Sequence, residues 1–174
     1  DGFFFFNYSN VGSSLPNRMN KYVFGGNYSN VKNLGSQQMI NLFGRRNVCA
    51  GHKKGKSNSC VLTLGAKAWM ESVNRVSSGG HCFGIATNAA QLFNRQLSQA
   101  QFGGRPTTHS IPFKPASTRP IAQAFSLQTL ATSPTLQPRS AVKLLKRNLR
   151  PGHVPFTLSM RASGGGGHAV TPIA

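Results

Sequence analysis

Cys82 stands in Gly79-Gly80-His81-Cys82-Phe83-Gly84-Ile85-Ala86, a glycine-rich turn running into small residues that can start a helix. A cysteine in the first helical turn sits among backbone N–H groups that have no intrahelical acceptor, at the positive end of the macrodipole. Both features favour thiolate over thiol. The same N–H groups can hold an oxyanion, and glycines let a substrate backbone approach closely. Gly80, His81 and Phe83 are therefore the expected oxyanion and substrate-lining residues: Phe83 covers one side, and His81 points away from the sulfur into structure or substrate. A thiolate nucleophile needs a base, and Gly167-His168-Ala169-Val170 supplies one at the opening of an expected strand, 86 residues later. His52, His109 and His153 lie in polar, loop-like stretches and are expected to be inert. The bland alternative is that Cys82 is a small buried hydrophobe on a helix stripe.

The other two cysteines, Cys49 and Cys60, flank a loop of Gly, Lys, Ser and Asn, which suits a short disulfide in an oxidising compartment. Free thiols are one rival. A metal site with His52 is another, but Cys-x2-His followed by a single Cys lacks a fourth ligand. No metal or organic cofactor is expected, and the chain is placed outside the cell or at its surface.

Together the two motifs resemble the papain-like cysteine peptidases, which carry Gly-Ser-Cys-Trp before small residues and a His-Ala-Val strand. They also look like a group of compact secreted bacterial and archaeal proteins with Gly-His-Cys-Phe-Gly-Met and Gly-Gly-His-Ala-Val-Thr, Ile85 standing here at the Met position. The resemblance implies an α+β, papain-like fold: a helical lobe with the Cys82 helix packed on an antiparallel sheet that carries His168. It implies a peptide or protein substrate, with Cys82 and His168 catalytic. The family's Gln upstream of the Cys has no counterpart near Val76, and no Asn or Asp follows His168 to orient it. The sheet is expected to be incomplete at the C-terminus, finished by a missing segment or a second chain.

The elements that must position these residues are legible as periodicity. A helix is expected from Ser36, as cap, through Leu42 and Phe43 to Gly44. A second runs from Gly65 to Val76 with Ala66, Trp69, Met70, Val73 and Val76 on its buried face. The third begins at Cys82, with Cys82, Ala86, Ala89, Ala90, Phe93 and Leu97 in one stripe. Further helices are expected over Pro120–Leu130 and Ser140–Leu149, the latter basic and amphipathic. Val154–Met160 and His168–Ala174 read as strands around a turn at Gly164–Gly167. Residues 1–35 form a loop-rich aromatic segment and 36–174 the main domain. Asn-Tyr-Ser-Asn-Val occurs at 7–11 and 27–31, and both copies contain a glycosylation sequon.

Twenty Lys and Arg face only two acids, Asp1 and Glu71, for a formal charge of +18. The surplus comes from missing acids rather than from a basic arm, since neither His52–Lys56 nor Lys143–Arg150 is an unbroken run of charge. It still favours a polyanion as partner. No run of 18 apolar residues is present, so no membrane span is expected. Three functions stay open: a cysteine peptidase or related thiol acyl-transferase; a peptidase-like protein with a structural or binding role at a surface or in a filament; and a basic nucleic-acid-binding protein.

Overall fold

The computed structural model describes residues 2–5, 7–8, 33–53, 55–130, 135–150, 153, 156–164 and 166–172. The second Asn-Tyr-Ser copy, Val154 and the last residues of the expected final strand lie outside them. The described residues form an α+β fold of six α-helices and two small antiparallel sheets.

Helix α1 (Ser36–Phe43) starts one residue earlier than the Ser36 cap implied. Gly35 is the cap residue, and the Gln38 side chain reaches back to accept its N–H at 3.1 Å. Gly44, with φ 81°, stops it as expected. After the single turn α2 (Arg45–Val48) come strands β1 (Cys49–Lys53) and β2 (Lys56–Leu62), paired from Cys49↔Leu62 to Lys53↔Lys56. Cys49 and Cys60 are joined by a disulfide, so neither is a metal ligand.

Helix α3 (Leu64–Val76) is capped by Thr63, whose hydroxyl accepts from Ala66 N–H at 3.2 Å. Val73 is buried and Trp69 and Met70 pack beside it, but Val76 is 58% exposed. It falls in the last turn, where the chain is already leaving the core. A 3-10 turn (Ser77–Gly79) and Gly80, at φ 131°, then redirect the chain into α4 (Cys82–Phe93). Helix α4 buries two stripes. Ala86 and Ala90 lie on the expected one; Gly84, Asn88 and Leu92 lie on a second that packs on α5 (Pro115–Leu127). Phe93 is solvent-exposed.

Helix α5 begins five residues before Pro120, which the sequence suggested as its start. Pro115 holds the first helical position, and Ser117 Oγ donates to Pro112 C=O at 2.6 Å and accepts from Lys114 N–H, fixing the entry. Helix α6 (Pro138–Asn148) lies on the surface with no buried residue. The chain returns as β3 (Leu158–Arg161) and β4 (Gly167–Val170), paired from Leu158↔Val170 to Arg161↔Gly167 around Gly166 at φ 78°.

The main core joins Phe5 and Tyr8 to Leu92, Phe102, Ile111 and Ile121; a second cluster holds Leu34, Val73 and Phe125. Burying each such side chain contributes about 1.5–3 kcal/mol. Phe3, Phe5 and Tyr8 thus pack on the main body, whereas Phe4 is exposed. The papain-like lobe does not appear. Each sheet among the described residues is a two-stranded hairpin closed on itself, with no larger sheet carrying His168.

Candidate functional site

Cys82 is the first residue of α4, half-buried and not in a disulfide. The first N–H groups of a helix have no intrahelical acceptor, and no side-chain cap takes them up here, so Cys82 belongs to a turn of free donors. The thiol of Cys82 can therefore act where a developing oxyanion would be stabilised.

Strand β4 docks on this same helix. Thr171 Oγ1 donates to Ala86 C=O at 2.7 Å, and Thr87 Oγ1 lies 3.3 Å from Thr157 Oγ1 just before β3. Ala86 is one turn beyond Cys82, so residues 85 apart in sequence bring the His168 strand to the helix that Cys82 opens. The pleat decides where each side chain goes. Ala169 is buried and Thr171 faces α4, so His168, one residue out of phase, stands on the exposed face beside Met160. Among the described hydrogen bonds none joins the His168 ring to Cys82.

The residues expected to line a substrate channel are instead engaged by the chain itself. Asn7 sits against Gly80, where any Cβ would meet its side-chain amide, and its Oδ1 accepts the His81 N–H at 2.7 Å. This is the Asn of the first sequon, and its amide is part of the fold. His81 is 0% exposed: it stacks on Tyr8 at 4.4 Å and its Nδ1 donates to Tyr8 C=O at 2.9 Å. Phe83 packs partly buried on Leu34, Val73 and Phe125. Gly84 is a contact glycine; a Cβ there would meet Ile121 C=O and Phe125 N of α5.

Burial lowers the His81 pKa from its usual value, the bond to Tyr8 C=O opposing part of that effect. Burial likewise pushes the Tyr8 hydroxyl well up. That hydroxyl and His81 Nε2 are both buried without a hydrogen-bond partner among the described residues. Tyr8→Phe removes the stranded hydroxyl while keeping the ring, so its thermal midpoint is expected to be unchanged or higher, by up to about 1 kcal/mol in stability. A loss greater than about 1 kcal/mol would show that the hydroxyl has a partner.

Asn7, Thr171 and Asn88 were not legible as functional or positioning residues. Asn88 had a signal, because it falls at helical spacing from Gly84 and Leu92; Asn7 and Thr171 act through contacts across about 70 to 85 residues. No known protein family, curated protein or solved structure matches this chain.

Proposed function

We propose that the chain is a thiol-dependent hydrolase or acyl-transferase acting on peptide or isopeptide bonds, with Cys82 as nucleophile and His168 as base. The supporting observation is the docking of the His168 strand on the helix that Cys82 opens, through Thr171 and Ala86. The Cys82 thiolate attacks the carbonyl carbon, and the Cys82 N–H holds the oxyanion. His168 delivers the proton to the departing amine, leaving a thioester, which water or an acceptor amine then cleaves to regenerate the thiol. His168 stands on the outer face of β4 in the free protein, so this role requires β4 to turn that side chain toward Cys82 when substrate binds. The Cys49–Cys60 disulfide fits an extracellular setting, and no helix among the described residues is long and apolar enough to cross a membrane.

Incubation with activated peptide esters, followed by mass spectrometry, is expected to place an acyl group on Cys82. His168→Ala should slow turnover by roughly 10²–10⁴-fold. Turnover that survives Cys82→Ala would exclude Cys82 as the nucleophile, and an unaltered protein that is neither acylated nor active would leave a structural or binding role.

Helix α6 favours polyanion binding as a second activity. Arg139, Lys143, Lys146 and Arg147 recur at helical spacing and all are exposed. With single-stranded oligonucleotide, log K should fall with log salt. Lys143→Gln with Lys146→Gln should shallow that slope by about 0.7 for each phosphate the protein no longer neutralises. An unchanged slope would remove α6 from the interface.

A further inference from the structure

On the side of α4 away from β4, a cleft of about 470 Å³ opens between α1, α4, the 3-10 turn Gln99–Phe102 and α5. Its walls carry the carboxamides of Gln38, Asn88, Gln91, Gln101 and Gln123 together with the guanidinium of Arg119. Asn88 is 1% exposed, and its Nδ2 is buried with no hydrogen-bond partner among the described residues. A buried amide nitrogen left unpaired is costly and calls for an acceptor.

Two of the other amides are already oriented. Gln38 Oε1 accepts Gly35 N–H at 3.1 Å, and Gln101 Oε1 accepts Ser98 N–H at 3.3 Å. Their oxygens are engaged by backbone, which leaves the NH2 ends as the free donors of these two amides. Arg119 adds a cation. Among the described residues no carboxylate lines the cleft, and the chain has only Asp1 and Glu71 to oppose the field of twenty Lys and Arg. Leu97, Phe102, Ala124 and Leu127 complete the walls with apolar surface, so the occupant has an organic body as well as an anionic head.

We propose that this cleft binds a small organic carboxylate, with its head on Asn88 Nδ2 and Arg119 and its body along Leu97 and Leu127. Such a group is offered by a peptide C-terminus or by a uronic acid sugar, and the two share the recognition chemistry. The site stands apart from Cys82 and does not depend on the thiol reading.

The test is calorimetry on the full chain with four probes: acetyl-trialanine, its C-terminal amide, a digalacturonate and its methyl ester. At least one acid is expected to bind on the order of tenfold or more tightly than its neutral counterpart, since only the ionised head forms an ion pair with Arg119, and the pair that discriminates names the source. Arg119→Gln, at an exposed position, should abolish that preference while leaving the alkylation rate of Cys82 unchanged. Asn88→Leu should lose the ligand yet raise the thermal midpoint of the free protein, because the unpaired amide is gone. No binding of either acid up to about 10 mM, beyond the range of even weak specific ligands, would overturn the proposal. Equal binding of acid and neutral forms, or full binding by Arg119→Gln, would overturn it too.

Discussion

Gly84→Ala is expected to destabilise the protein by about 3 kcal/mol, a fall of roughly 6 to 12 °C in thermal midpoint for a chain of this size. The physical reason is the crossing of α4 and α5. A Cβ at residue 84 would overlap Ile121 C=O and crowd Phe125 N, and both are backbone atoms inside a helix that cannot swing aside. Intrinsic propensity argues the other way, since alanine is better than glycine in a helix by about 1 kcal/mol. The sign of the change therefore separates packing from propensity. Gly65→Ala is the matched control: it lies in α3 with nothing within 4 Å of its added Cβ, and it should gain about 0.5–1 kcal/mol. A neutral or stabilising Gly84→Ala in thermal unfolding would mean that the two helices do not meet at this glycine.

Below pH 6.5 the protein is expected to lose stability through His81. A carbonyl oxygen can only accept, so His81 Nδ1 donates to Tyr8 C=O, and a second proton would have to enter at the buried, unpartnered Nε2. The folded pKa is lowered from the ordinary value of 6.5, first by burial. The unfolded chain consequently binds more protons below pH 6.5 than the folded one. This contribution is fully present above pH 6.5 and is lost as pH falls toward the lowered native value, with a slope reaching about 1.4 kcal/mol per pH unit. His81→Phe, which keeps an aromatic ring against Tyr8, should flatten the dependence by that amount in urea titrations across roughly pH 5 to 7.5. An unchanged slope in His81→Phe would assign the acid sensitivity to other groups.

Helix α3, the turn at Ser77–Gly80 and the start of α4 at Cys82 were legible because each depends on local chemistry: a periodic face, a glycine break, a run of small residues. The α+β class and the Cys49–Cys60 pairing were legible for similar reasons, the latter from spacing around a polar loop. What escaped reading depends on tertiary contacts. Pro120 reads as a helix start but sits inside α5, because the capping of Lys114 by Ser117 sets the start earlier. His81 reads as a polar residue beside a nucleophile, yet stacking on Tyr8 across 73 residues carries it into the core. Gly80 reads as room for substrate, and the chain fills that room with Asn7. His168 follows the same rule: its motif is visible in the sequence, but the face of β4 on which it stands is fixed only when Ala169 and Thr171 turn toward α4.

The most direct measurement is alkylation of the native protein by iodoacetamide from about pH 5 to 9, spanning the usual thiol range, with mass spectrometry to locate the adduct and His168→Ala as the comparison. A catalytic pair predicts rapid labelling of Cys82 that persists below about pH 7 and is slowed in His168→Ala. Labelling that follows an ordinary thiol, rising only toward the usual cysteine range near about 8.5 and indifferent to His168→Ala, would contradict it.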